Sequence, residues 1–408
     1  MHLPSHLFIM PFDLSNDLKL RRDQNLFRAT RVAQSPQGPE MDVDGKRYLT
    51  FCSNDYLGLA NHPKIVESFQ SAAGQYGVGS GAAHLVNGHT QAHEDLEHAL
   101  AKFTGRDSAL LFSTGYMANM GVIASLLSKQ DAVFEDKWNH ASLLDGGLLS
   151  GSRFQRYQHK DIKSLESKLE KSSARRKLVV SDGVFSMDGD KADLPALSRA
   201  AKKHDAWLMV DDAHGLAALG KNGAGLCEEQ AVTQNDAHIL VGTLGKGFGT
   251  AGAFVAGSTE LIEYLTNFAR PYIYTTAMPA AIAAATLTSL DIIQNEPEHR
   301  EHLNKLIQFF RKEALALGFN LMDSDTAIQP LLVGDAETAL LISDALKDSG
   351  LLVTAIRPPT VPQGTSRLRI TLSAAHTFKH VEQLLGALAI IMKQHPSLKQ
   401  FNLSESHS

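Results

Sequence analysis

Lys246 lies among five glycines in the stretch VGTLGKGFGTAG, residues 241–252. A lysine in that company can hold a phosphate inside a glycine-rich loop, or act as a nucleophile that the glycines leave room around. A phosphate loop of the form G-x-x-x-x-G-K-[ST] needs a glycine at 240 and a hydroxyl at 247. The chain has Leu240 and Gly247 there. Residues 247–252 also spell G-x-G-x-x-G, but the dinucleotide fingerprint must open a helix, and the AFVAG that follows reads as a strand. The nucleophile reading survives. An amine attacks a carbonyl only when neutral, which requires desolvation or a neighbouring cation. The apolar run HILVG ahead of the loop offers a partly buried position. Glycines let a planar cofactor approach the backbone. The plain alternative is a surface lysine in a flexible turn.

A second group of residues bears on the choice. AWLMVDDAHG reads as a buried strand ending in Asp211, Asp212 and His214. In open α/β sheets ligands sit at the carboxyl edge of the strands. An aspartate there can pair with a protonated pyridine nitrogen and keep the ring an electron sink. Asp211 and His214, three apart on a turn, can face one ligand, with Asp212 pointing away. Asp211 could also simply cap the next helix. Lys246 follows His214 by thirty-two residues, at the end of the next strand, and the two groups support one another. In FSTGYMANM, Thr114 and Gly115 stand between a strand and a helix, where free N–H groups and the helix dipole bind phosphate. In DKWNHAS, His140 follows a strand end and could stack on a flat ring.

These residues need a scaffold. From residue 108 short apolar runs alternate with amphipathic helices, which predicts a mostly parallel sheet covered on both faces. After about residue 278 two helices lead into a small α+β unit. The expected organisation is an N-terminal segment over 1–50, with a charged helix or arm over 15–31, a large α/β domain over 51–290 and a smaller C-terminal α+β domain over 291–408. Of the 408 residues, 43% are hydrophobic and 20% charged, with a net charge of −5, so no basic field recruits nucleic acid or an anionic membrane. The two cysteines, Cys52 and Cys227, form neither a disulfide framework nor metal-ligand spacing, and a reducing, cytoplasmic setting without a metal is expected. The apolar start at 1–12 reads as a lead-in and not a signal peptide. The run at 277–293 contains Pro279 and Asp291 and reads as a core helix rather than a membrane span.

The segments SNDYLGLA, GSGAAHLVNGHT, FSTGYMANM, WNHAS, SDGVFSMDGD, VDDAHG, GTLGKGFG, YIYTTAMP and RPPTVPQGTSRLRITLSAAHT together resemble the α-oxoamine synthases. These are pyridoxal-phosphate enzymes of the aspartate-aminotransferase fold, fold type I. The likeness runs from about residue 21 to residue 396. It implies pyridoxal 5'-phosphate on Lys246, Asp211 at the pyridine nitrogen, His214 at the phenolic oxygen and His140 stacked on the ring. It further implies Gly115, Tyr116 and Thr243 at the phosphate, Ser186 beside the ring, and Thr275 and Thr276 reaching the phosphate across a homodimer interface. Asn54 and Arg369 match positions that bind the amino-acid carboxylate; Arg28 and Thr360 match positions that touch the acyl substrate. Asp182 stands where many relatives carry glutamate. The implied reaction is a decarboxylative condensation of an amino acid with an acyl thioester. Short termini and the RPPTVP stretch favour L-alanine and a pimeloyl group on coenzyme A or acyl carrier protein. Relatives that take glycine or serine with other acyl groups share the cofactor residues.

Overall fold

The computed structural model describes residue 12, residues 14–24 and residues 26–394; the lead-in at 1–11 and the polar tail at 402–408 lie outside the described residues. Helix α1 (Ser15–Asp23) is followed by strands β1 (Glu40–Val43) and β2 (Lys46–Thr50) and helices α2 (Pro63–Tyr76) and α3 (Gln91–Thr104). An alternating run comes next: β3 (Ser108–Phe112), α4 (Gly115–Leu126), β4 (Ala132–Asp136), α5 (Ala141–Leu149), β5 (Arg153–Tyr157), α6 (Ile162–Glu170), β6 (Lys177–Asp182), α7 (Leu194–Lys203) and β7 (Trp207–Asp211). The short turn α8 (Leu226–Glu229) leads to β8 (Ile239–Thr243), β9 (Ala253–Gly257), α9 (Thr259–Phe268) and α10 (Arg270–Ile273). Helices α11 (Ala280–Asn295) and α12 (Glu298–Ala316) precede β10 (Ile328–Gly334), α13 (Ala336–Asp348), β11 (Leu351–Leu352), β12 (Thr354–Ile356), β13 (Ser366–Thr371) and α14 (Phe378–Gln394).

Seven strands form the main sheet in the order β3-β9-β8-β7-β6-β4-β5. Only β9 runs against its neighbours, so the sheet is mostly parallel as the alternating pattern predicts. Side chains on a strand point alternately to opposite faces. Here Leu208 and Val210 of β7 enter one apolar cluster, with Leu165 of α6 and Leu197 of α7. Met209 between them enters another, with Val122 of α4 and Leu265 of α9. All three β7 residues are fully buried. Each such side chain contributes about 1.5–3 kcal/mol by leaving water. A polar residue at Met209 would therefore loosen the strand that carries Asp211.

The C-terminal unit holds the antiparallel sheet β10-β13-β12. The stretch LLVTAIRPP, residues 351–359, divides between two strands. β11 pairs in parallel with β2, β12 pairs with β13, and between them the Val353 carbonyl is taken by the Ser343 hydroxyl at 2.7 Å. A carbonyl so engaged leaves the ladder. β1 and β2 thus share a sheet with the C-terminal segment. Within 15–31, expected as a helix or an arm, the helix ends at Asp23. None of its residues is buried, so no packing extends it, and the residues beyond it run along a cleft beside β12. Among the described residues no helix is long and apolar enough to cross a membrane.

Candidate active site

Parallel strands deliver their last residues to one edge. Asp182 ends β6 and Asp211 ends β7, in register with one another. The next strand, β8, ends at Thr243 and turns through residues 244–252 into β9, its antiparallel partner. Lys246 stands on that turn, held at both ends by the hairpin ladder. Gly249, at φ +68°, lets the turn close on the backbone of residues 59–60; a Cβ there would lie 2.5 Å from the Ala60 nitrogen. The Asp55 carboxylate accepts the Leu59 and Ala60 N–H groups at 2.9 and 3.1 Å, which fixes the loop bearing Asn54 and Tyr56.

Lys246 Nζ lies 2.7 Å from His214 Nε2, and His214 Nδ1 lies 2.5 Å from the Tyr56 hydroxyl. That hydroxyl donates to Asn54 Oδ1 at 3.4 Å, which also accepts from Arg369 Nη2 at 3.2 Å. One chain of contacts therefore joins Lys246 to Arg369. Burial lowers the Lys246 pKa to about 8, against the pull of Asp211 and Asp182 in the opposite direction. Burial first, then Lys246 and Arg369, hold the His214 imidazole well below its usual range. The ring is neutral, so one nitrogen accepts while the other donates. Burial likewise raises Tyr56 to about 12 and keeps it a phenol.

The Asp211 carboxylate is buried and accepts from Asn119 Nδ2 at 2.6 Å and from the Ala213 N–H at 3.0 Å. Asn119 Nδ2 also donates to Ser142 Oγ at 2.8 Å, itself 2.8 Å from His140 Nδ1. The His140 N–H donates to Asp182 Oδ2 at 2.7 Å, so the shorter carboxylate reaches the backbone beside His140. Burial first, and then Asp211, raise the Asp182 pKa well above the carboxylate range. Asp212 points away as expected: it accepts the Leu226 N–H at 2.6 Å.

Thr114 caps α4 by accepting the Met117 N–H at 3.2 Å, which leaves the Gly115 and Tyr116 N–H groups without an intrahelical acceptor. A Cβ on Gly115 would lie 3.9 Å from that of Thr243, so the helix start and the Thr243 hydroxyl converge. The Tyr116 hydroxyl donates to Asp145, and its ring meets His140 edge-on at 6.3 Å. Arg369 is buried; its Nε donates to the Ser186 carbonyl at 2.7 Å and its Nη1 to Thr371 Oγ1 at 3.0 Å. Thr276 forms an isolated bridge with Ala83. Among the described residues no hydrogen bond ties Thr275 or Thr276 to the Lys246 group. Arg28 and Thr360 line a separate cleft of about 230 Å³ with Arg21 and Arg357.

The arrangement suits an aromatic aldehyde carrying a phosphate. A low-pKa amine stands near a buried carboxylate that raises its pKa, and N–H groups without an intrahelical acceptor at a helix start lie beside the Thr243 side chain. The chain matches the family described as aminotransferase class I and II over residues 46–388. It belongs to that family. An 8-amino-7-oxononanoate synthase of Cellvibrio japonicus is 59% identical over 390 residues, 96% of this chain and 97% of the relative. The structure of a serine palmitoyltransferase from S. paucimobilis with bound PLP and myriocin superposes with a TM-score of 0.88 at 32% identity, covering 93% of this chain and 97% of that one. The 8-amino-7-oxononanoate synthase of Francisella tularensis gives 0.75 at 31% identity, covering 85% of this chain and 98% of that one. The aspartate-aminotransferase-like fold is therefore shown. Tyr56, Asn119 and Ser142 are the site residues that sequence reasoning missed. Each lies within a quoted motif; Asn119 and Ser142 are polar residues with apolar neighbours, which is a weak signal, whereas Tyr56 follows three polar residues and carried none.

Proposed function

We propose that this chain is an 8-amino-7-oxononanoate synthase. It joins L-alanine to a pimeloyl thioester of coenzyme A or acyl carrier protein and releases carbon dioxide and the thiol. It works as a cytoplasmic homodimer in biotin biosynthesis. Pyridoxal 5'-phosphate is its cofactor and, when bound, supplies the electron sink that makes the amino-acid α-carbon acidic. Lys246 would hold it, with Asp211 at the ring nitrogen, His140 on the ring face, and Gly115, Tyr116 and Thr243 at the phosphate. Thr275 and Thr276 would serve the phosphate of a second copy.

The chain's own groups divide the remaining work. Nζ of Lys246, neutral above about pH 8, takes the α-proton as a positioned base. His214, held neutral, orients that amine and passes the contact on to Tyr56. Asn54 and Arg369 receive the amino-acid carboxylate, and the Ser186 carbonyl fixes the guanidinium that does so. Arg28 and Thr360 hold the acyl group. His140 or His214 donates to the oxygen of the attacked carbonyl.

The observation that carries the reading is the contact chain from Lys246 to Arg369, which ties the base to the carboxylate site. Other α-oxoamine synthases, such as 2-amino-3-ketobutyrate ligase and 5-aminolevulinate synthase, take other substrates. Purified protein offered alanine, glycine or serine with pimeloyl, acetyl or succinyl thioesters should release thiol fastest with alanine and pimeloyl. A faster rate with any other pair overturns the assignment.

A further inference from the structure

The residues leading into and along α3 carry histidines at 84, 89, 93 and 98 that the proposed reaction does not use. His93 is saturated: its Nδ1 accepts the Thr90 N–H at 3.0 Å, and its Nε2 meets the Met278 carbonyl at 2.8 Å. His89 differs. Its Nε2 lies 3.1 Å from Glu94 Oε2 and 3.9 Å from Glu97 Oε2. All three atoms fall within 4.8 Å of one another. The two glutamates, three apart on α3, share a helix face.

In each residue the other polar atom is engaged elsewhere. His89 Nδ1 lies 2.8 Å from His84 Nδ1. Glu97 Oε1 accepts the Leu111 N–H at 2.8 Å, and Glu94 Oε1 lies 3.4 Å from His98 Nε2. Outer partners of this kind orient ligands around metal ions. Bonds of about 2.0–2.2 Å in tetrahedral geometry place ligand atoms about 3.3–3.5 Å apart, between the two distances to His89. An imidazole with two carboxyl groups is a donor set for a divalent first-row metal; burial raises Glu97 to about 8, and the bound cation would take the place of its proton.

We propose that His89 Nε2, Glu94 Oε2 and Glu97 Oε2 bind one divalent transition-metal ion of the Zn²⁺ class, apart from the Lys246 site. The preceding loop is tied to the residues after α10: Ser80 Oγ donates to the Met278 carbonyl at 2.6 Å, and the Ala277 N–H to the Ala82 carbonyl at 2.9 Å. The ion would stiffen the join between α3 and the segment bearing Thr275 and Thr276.

The test is calorimetric titration of chelator-treated, cofactor-loaded protein with Zn²⁺. One saturable equivalent per chain is expected. Glu97→Gln and His89→Ala should each weaken it at least about tenfold. The glutamine amide oxygen can still accept the Leu111 N–H, so that variant keeps the fold, which a circular-dichroism melt confirms. Asp95→Asn removes a charge from the same helix at a residue bonded to Gln91 and should bind as the parent does. No saturable binding, binding indifferent to Glu97→Gln and His89→Ala, or equal weakening by Asp95→Asn each overturns the proposal.

Discussion

Asp211 and Thr243 end adjacent strands of a buried sheet, and Lys246 stands on the tight turn between β8 and its antiparallel partner β9, whereas Arg28 and Thr360 stand on exposed segments without regular structure. The first group is fixed by ladders on both sides and by side chains that are themselves bonded, such as Asn119 beneath Asp211. The second meets only where the N-terminal arm passes the turn after β12. Rigid elements hold reacting groups to a fraction of an ångström, while irregular segments tolerate change. Under the proposed function, reaction type would belong to the sheet edge, and acyl preference to the arm and the 357–360 turn.

Substitutions at the two ends should separate in what they damage. Lys246→Ala should lower kcat by on the order of 10⁴ or more and abolish the visible absorbance of the cofactor-loaded protein, as steady-state kinetics and a spectrum would show. Activity near the parent's would place the base elsewhere. Arg28→Ala should raise KM for the acyl thioester roughly 10- to 100-fold, the worth of one charge-assisted hydrogen bond. It should leave KM for alanine and the absorbance unchanged; equal effects on both substrates would erase the division. The gentlest probe is pH. With Lys246 at about 8, its neutral fraction falls about tenfold for each unit below that value. The rate at which cofactor-free protein captures pyridoxal 5'-phosphate should fall likewise from pH 8 to 6 and level off above 8. A midpoint near 10 would mean that the amine is not desolvated.

The same division governs what could be read from the chain. The alternation of buried strands and amphipathic helices is local, and it foretold the parallel sheet and the placement of Asp211, His214 and Lys246 at its edge. The separation of β11 from β12 was not legible, because a distant partner, β2, decides it. Arg369 could equally have been a solvated cation on an alternating strand. Its burial depends on Ser186 and Asn54, far away in sequence. Tyr56 and Asn119 gave no period or spacing signal; only three-dimensional contact shows their bonds to His214 and Asp211.

The pairing of β2 with β11, and of Asn54 with Arg369, has a consequence during synthesis. The residues that would seat the amino-acid carboxylate come from near opposite ends of the polypeptide. A nascent chain can assemble the central sheet while still attached to the ribosome. It cannot close that seat until residue 369 has emerged, so chains halted earlier would be folded in the middle yet unable to grip an amino acid. Such wide sequence separation also slows the last stage of folding relative to the first.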